Sequence, residues 1–391
     1  MTPAARLQAA IEILDEAIAS ARDDGPPADV IVTRYFKTRR YAGSGDRRAV
    51  RELVFRAIRR SAERPASGRA AMLGLAADDP GLVELFGQGR GPAPIIDGEE
   101  RSPAAIVPSW LEPEISPLVG RGEWPALLER APLDLRVNAA RATRDMLIGQ
   151  FPSAEPTRIS PWGLRLPADS RIDDLPAYAD GLIEVQDEGS QLIALACQAQ
   201  GGMRILDLCA GGGGKALALA AAAPGAEILA TDTNRSRLSK LAPRATKAGA
   251  RIETRLLDHP RELEALADWA GTADVVLVDA PCSGSGTWRR NPEGRWRLMP
   301  DRLERLVRLQ SQLLDIGAEM VRPGGSLVYA VCSILSAEGE RQAADFLGRR
   351  SSWVAQATPI DAGRLDGAGR LLVPGQDGTD GFFVARLVRP C

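Results

Sequence analysis

The sequence predicts an α/β protein: a doubly wound, mainly parallel sheet in its C-terminal half, preceded by a small α+β module and an all-α N-terminal region. Three observations carry this. From about residue 181 onward, short apolar runs at 204–208, 227–231, 252–257, 275–278 and 326–331 alternate with helical segments. The first run enters four consecutive glycines (Gly211, Gly212, Gly213, Gly214) and then an alanine-rich helix, a unit in which a ligand can approach main-chain N–H groups and the positive end of the helix. The second run closes on Asp232, about twenty residues beyond the loop, where nucleotide-binding folds place a ribose acceptor.

At 391 residues with 45% apolar content, the chain has room for two or three buried cores. No stretch reaches the roughly 18 uninterrupted apolar residues of a membrane span. The amphipathic first 21 residues carry acids throughout, unlike a targeting peptide, so a cytoplasmic location is expected, with no membrane partner. Five cysteines (Cys197, Cys209, Cys282, Cys332, Cys391) form no C-x-x-C pair, and His259 is the single histidine. A disulfide framework, a zinc site or any other metal centre, and Ser-His-Asp or Cys-His catalysis are therefore not expected.

In the N-terminal region Leu7, Ile11, Leu14 and Ile18 recur at helical spacing, and the helix should stop near Asp23 and Gly25. A second helical stretch covers 28–40, and Asp46 is placed to cap a third over 47–60, with Val50, Val54 and Ala57 facing inward. Although the net charge is −2, residues 34–60 hold ten Lys/Arg against two acids, a local charge of +8. Such a segment suits a polyanion such as RNA, with Arg47 and Arg48 as contacts, or a solvated helix face. Residues 87–108 read as a linker, and a helical domain with its linker is expected over 1–125.

The module expected over 126–180 has strands at 134–138 and 157–166 around a helix near Met146. Arg136 and Asn138 alternate outward from the first strand, which suits RNA contact and equally a solvated sheet face. In the remaining domain, 181–391, carboxylates lie at or just beyond three strand ends (Asp232, Asp258, Asp279), the edge where open α/β sheets bind ligands. Cys282 and Cys332 each follow an apolar strand and precede a serine, so both should reach that edge. A soft nucleophile there suits addition to carbon 6 of a pyrimidine, which makes carbon 5 able to attack a methyl donor, with Asp279 bonding the base edge. Between 288 and 297, two tryptophans (Trp288, Trp296) interleave with four arginines (Arg289, Arg290, Arg295, Arg297), a pattern suited to stacking on single-stranded RNA, or to tryptophans packed inward on the next helix. In that helix, 302–321, Leu306, Leu309, Leu313 and Met320 are core residues by spacing.

These residues together resemble the RsmB/Nop/Sun family of S-adenosylmethionine-dependent RNA cytosine-5 methyltransferases. The resemblance rests on Arg136-Val137-Asn138, Val185-Gln186-Asp187, Asp207-Leu208-Cys209-Ala210 with Gly213-Gly214-Lys215, Asp279-Ala280-Pro281-Cys282-Ser283, Arg289-Arg290-Asn291-Pro292, Tyr329-Ala330-Val331-Cys332-Ser333 and Asp380-Gly381-Phe382-Phe383, in that order. It implies a Rossmann-like class I methyltransferase domain and a NusB-like N-terminal domain. It also implies Cys332 as attacking thiolate and Cys282 as the thiol that assists product release. The cofactor S-adenosylmethionine would lie against Cys209, Ala210, the four glycines, Lys215, Asp232, Asp258 and Asp279. The chain departs from the family pattern at Gly212, where proline is usual, and at Val331, where threonine is usual.

The function this implies is transfer of a methyl group to carbon 5 of a cytosine, ribosomal (16S) RNA being favoured over transfer RNA, by a monomer. The alternatives are a transfer RNA methyltransferase, an enzyme acting on an exocyclic amine, and an idle RNA-binding or assembly protein with the same fold.

Overall fold

The computed structural model describes all 391 residues, which divide into two units. One comprises Met1–Ile115, Gly120–Glu129 and Thr287–Arg302; the other comprises Ser116–Val119, Arg130–Gly286 and Leu303–Cys391. The first is built on helices α1 (Pro3–Arg22), α2 (Ala28–Lys37), α3 (Ser44–Arg60) and α4 (Gly68–Asp78). Thr2 caps α1 by accepting from the Ala5 amide at 3.2 Å, and Leu7, Ile11 and Leu14 are buried as their spacing requires, with Ile18 half-buried. Helix α3 starts earlier than its sequence suggests. Asp46 therefore sits in the first turn, where its carboxylate accepts from the Gly43 amide (3.2 Å), the Met1 amino group (3.1 Å) and Arg6 Nε (2.9 Å).

The tryptophan and arginine segment is a structural part of this helical unit, which corrects the expectation that it offers its side chains to RNA. Trp288 and Trp296 are each 1% exposed, Arg295 1% and Arg289 6%. Arg290 is half-buried. The Arg295 guanidinium donates to the carbonyls of Ile58 (2.6 Å), Ile106 (2.8 Å) and Pro292 (2.9 Å), closing the C-terminal end of α3, whose last carbonyls have no partner within the helix. Trp296 Nε1 donates to the Ser61 carbonyl at 2.8 Å, just beyond the same helix end. Glu293 accepts from the Ala28 amide at 3.0 Å, supplying α2 with the cap that Pro27 cannot. Arg297 donates to the carbonyls of Gly25 and Pro26 in the α1–α2 turn, each at 2.9 Å.

In the second unit a four-stranded antiparallel sheet runs in the order β2 (Glu155–Pro156), β3 (Gly163–Leu166), β1 (Leu133–Val137), β4 (Ile183–Val185). Its core holds Leu135, Val137, Leu147, Phe151, Leu164 and Ile183. Alternation along β1 is as expected, but its second face is not solvated. Arg136 is 2% exposed and donates to Gln186 Oε1 at 2.6 Å; Asn138, 3% exposed, donates to the carbonyls of Ala248 (2.9 Å) and Gly181 (3.1 Å). Both are therefore internal ties rather than RNA contacts, because β1 is a central strand with both faces covered. Burial pushes the Arg136 guanidinium down to about 10, still charged at neutral pH.

The large sheet has nine strands. Its parallel part runs β7 (Glu253–Leu256), β6 (Glu227–Asp232), β5 (Arg204–Asp207), β8 (Ala273–Asp279), β9 (Val321–Val331). Beyond β9 the order continues antiparallel through β13 (Phe382–Val388), β12 (Gly369–Leu372) and β11 (Arg364–Asp366), with β10 (Val354–Gln356) also on β13. Strands β5 and β8 are buried on both faces and accordingly read as unbroken apolar runs. Chain order reverses between β5 and β8, which makes their carboxyl ends the topological switch point. In the helix Pro300–Met320 the buried residues are Leu303, Gln310, Leu314, Gly317, Ala318 and Met320; Leu309 is exposed and Leu306 and Leu313 are half-buried, so the inward stripe is rotated from the predicted one. No helix is long and apolar enough to cross a membrane.

Candidate active site

At the carboxyl end of β5, Gly211 and Gly213 take φ values of 56° and 81°, a left-handed turn that a side chain would strain, and Gly214 opens the helix Gly214–Ala222. Asp232, ending β6, receives the Gly211 amide on Oδ2 (2.8 Å) and the Asn234 amide on Oδ1 (2.7 Å). A carboxylate offers about four acceptor positions, so each oxygen keeps one for a ligand hydroxyl. Asp258 follows β7 and is exposed, paired with Arg261 at 2.6 Å. Cys209 and Ala210 are partly exposed beside the loop, and burial pushes the Cys209 thiol well up, so it stays protonated.

Asp279 ends β8, with Oδ2 2.6 Å from Lys215 Nζ. Burial alone would lower the Lys215 ammonium, but the charge of Asp279 and its hydrogen bond outweigh that and raise it, so Lys215 stays charged at neutral pH. Beneath them Asp207 is fully buried, and neither carboxylate oxygen makes a hydrogen bond of good geometry. Desolvation, reinforced by the charge of Asp279, pushes its carboxyl up to about 7.

The two cysteines meet because β8 and β9 pair in parallel register, Asp279 opposite Ala330. The Ala280 amide donates to the Ala330 carbonyl (2.9 Å) and the Gly286 amide to the Cys332 carbonyl (3.0 Å), extending the pairing past the strand ends. Cys282 Sγ then lies 3.3 Å from Cys332 Sγ. The shared hydrogen bond and burial push the Cys282 thiol well up, so it stays protonated at neutral pH.

Sequence reasoning missed the group behind these loops. Glu338, 0% exposed, accepts from the Ser283 amide (2.8 Å), Gln310 Nε2 (3.0 Å) and Ser333 Oγ (2.6 Å). Nothing in its spacing singles it out from Glu340, two residues on. Arg47 and Arg48 lie exposed on α3, Arg47 Nε donating to the Ala42 carbonyl at 3.0 Å. Of the other cations near them, Arg34, Arg39, Arg56 and Arg60 pair with Glu16, Glu12, Asp79 and Asp78 from other elements, and Arg59 Nε donates to the Leu128 carbonyl. The positive face is thus smaller than its sequence implies, with Lys37, Arg40, Arg48 and Arg51 as its outward members.

The strand order, glycine loop and strand-end acids define a Rossmann-like α/β domain of the methyltransferase type. Residues 193–388, half of the chain, match the family described as 16S rRNA methyltransferase RsmB/F, and the chain belongs to that family. It is 35% identical over 277 residues to the ribosomal RNA small subunit methyltransferase B of Enterobacter sp. (strain 638), and 34% identical over 279 residues to that of Salmonella typhi. Each match covers 68% of this chain and 63% of the relative. Among solved structures, PH0851 superposes with a TM-score of 0.75 at 22% identity, covering 99% of both chains. NSun6 from Pyrococcus horikoshii, with SFG, gives 0.64 at 20% identity, covering 72% of this chain and 98% of its own. At these identities both likenesses establish the fold.

Proposed function

We propose that the protein transfers a methyl group to carbon 5 of a cytosine in 16S ribosomal RNA, through a covalent adduct with Cys332. The observation that carries this is the 3.3 Å approach of two thiols on adjacent strand ends, beside the Lys215–Asp279 salt bridge and a glycine-rich loop. Family membership supports the reading, and so do the relatives' names, although the matches span only 63% of their length.

The residues present fit S-adenosylmethionine. The spare acceptor positions of Asp232 suit ribose hydroxyls, Asp258 lies at the strand edge that would face the adenine, and the start of the helix Gly214–Ala222 with Lys215 and Asp279 suits the charged amino-acid end. When bound, the cofactor supplies an electrophilic methyl group. Cys332 Sγ, as thiolate, forms a bond to carbon 6 of the cytosine, and the electron pair displaced to carbon 5 takes up the methyl. Loss of the carbon 5 proton to water, a step that Cys282 assists, then returns the pair and expels the Cys332 thiolate. Asp279, held by Lys215, is placed to accept from the base edge and stabilise the adduct. The cations on α3 would hold RNA phosphates. Such a substrate implies a cytoplasmic location, and the enzyme is taken to act as a monomer.

Bisulfite sequencing of RNA from a strain lacking the gene tests the assignment. One 16S cytosine should lose its protection; loss confined to transfer RNA would transfer the activity there, and no loss anywhere would favour an idle binding protein.

A further inference from the structure

We infer that Glu338 is a positioning residue that sets the spacing of the two thiols, an inference that rests on the two-thiol reading above. Its carboxylate sits behind both cysteine-bearing loops and bonds to the residue after each cysteine. Oε1 accepts from the Ser283 amide (2.8 Å) and Gln310 Nε2 (3.0 Å); Oε2 accepts from Ser333 Oγ (2.6 Å) and Ser283 Oγ (2.5 Å). Those four bonds fill the acceptor capacity of a carboxylate. Gln310 also donates to the Pro281 carbonyl (2.9 Å), directly before Cys282. The main chain of Glu338 is itself fixed, because its carbonyl accepts from the Tyr329 hydroxyl of β9 at 2.6 Å.

Its four donors are all neutral, and a carboxylate wholly out of water on neutral donors is a costly arrangement for a mere filler of space. A carboxylate is nonetheless the group suited to this place, since only an acceptor-only side chain can take all four donors at once. The two cysteines depend on it unequally. Cys332 follows β9 directly, and the ladder pairing Val331 with Phe383 fixes it whether or not Glu338 is present. Cys282 lies three residues past the end of β8, in a loop whose path is set largely by the bonds of Ser283 and Pro281 to this cluster. Loss of the carboxylate should displace Cys282 while Cys332 stays in place, so addition to the base survives and release of the product fails.

The test uses the full chain with in vitro transcribed 16S ribosomal RNA and S-adenosylmethionine, and compares wild type, Cys282→Ala, Glu338→Gln and Glu338→Ala. Glu338→Gln keeps the shape but turns two acceptor positions into donors facing hydroxyls. It should lower kcat on the order of a hundredfold, the cost of a misplacement near 1 Å. KM for S-adenosylmethionine should stay unchanged, and RNA-linked protein should accumulate on a denaturing gel, as is expected for Cys282→Ala. Glu338→Ala should do the same more severely, and if it does not fold, the isosteric Gln variant carries the test. Wild-type turnover by Glu338→Gln, or slow turnover with a raised KM and no trapped adduct, overturns the positioning role. Absence of adduct from Cys282→Ala as well would instead overturn the two-thiol reading, and the inference with it.

Discussion

Replacing Arg295 by methionine separates a structural role for the tryptophan and arginine segment from the RNA-contacting role its sequence suggests. Methionine keeps an unbranched apolar stem and removes the guanidinium at a position 1% exposed, leaving the carbonyls of Ile106 and Pro292 without their donor and that of Ile58 with only the Ser61 amide at 3.3 Å. Burial, and secondarily the neighbouring Arg59, push the Arg295 guanidinium down to about 9, so at neutral pH the lost donors are charged ones. An unsatisfied buried carbonyl costs about 1–3 kcal/mol, so two imply a loss of about 2–6 kcal/mol. That is comparable to the roughly 5–15 kcal/mol that holds a typical domain folded. Urea unfolding followed by tryptophan fluorescence, with hydrogen exchange over residues 44–61, should show early opening of the C-terminal end of α3. Arg295→Lys, which keeps the charge but not the planar fork, should fall between. A loss below about 1 kcal/mol, with reduced RNA affinity in its place, would refute the reasoning and return the segment to the RNA-contact role.

Three further outcomes are expected. Asp232→Ala should weaken S-adenosylmethionine binding at least about tenfold by calorimetry, since hydrogen bonds to a charged acceptor worth about 1.5–3 kcal/mol are lost; unchanged affinity would remove Asp232 from the cofactor site. Replacing Lys37, Arg40, Arg48 and Arg51 together with alanine should flatten the salt dependence of RNA binding, each lost phosphate contact reducing the logarithmic slope by about 0.7–0.9. An unaltered slope would make that face merely solvated. For Asp207, a folded carboxyl at about 7 against an ordinary 3.8 means that the folded state holds a proton the unfolded chain has released. Stability therefore falls as pH rises between those values, and Asp207→Asn should raise the melting temperature relative to wild type at pH 8 and little at pH 5. An equal effect at both would mean that the folded carboxyl is already ionised at pH 5, as in the unfolded chain, and is not pushed up by burial.

The parallel sheet was legible because β5, β8 and β9 are buried runs of apolar residues bounded by glycine and aspartate, and a strand buried on both faces leaves that mark. The strand-end acids and cysteines were legible for the same reason: a side chain just past such a run must lie at the ligand edge. What failed is what depends on distant partners. Alternation placed Arg136 and Asn138 on one face of β1 but could not say that the face is covered, since Gln186 and Ala248 lie far along the chain. Trp296 and Arg295 stand in a pattern common to RNA-binding loops and to buried ties; the acceptors that decide between them, at Ile58 and Ser61, are more than two hundred residues away. The positive segment was overcounted because its acids come from other helices, as Asp78 does for Arg60. Glu338 left no local sign, being one acid among several, and only the meeting of two strand ends gives it a task.

The central claim, that two adjacent thiols divide addition and release between them, is tested most directly by incubating Cys332→Ala and Cys282→Ala with 16S ribosomal RNA and S-adenosylmethionine and resolving the products on a denaturing gel. Cys332→Ala should neither methylate the RNA nor form a slow-migrating species, because no thiolate attacks carbon 6. Cys282→Ala should add to the base, transfer the methyl group and stall, so that protein accumulates covalently attached to RNA. The opposite pattern would exchange the roles of the two cysteines, and full activity in both variants would contradict the covalent mechanism.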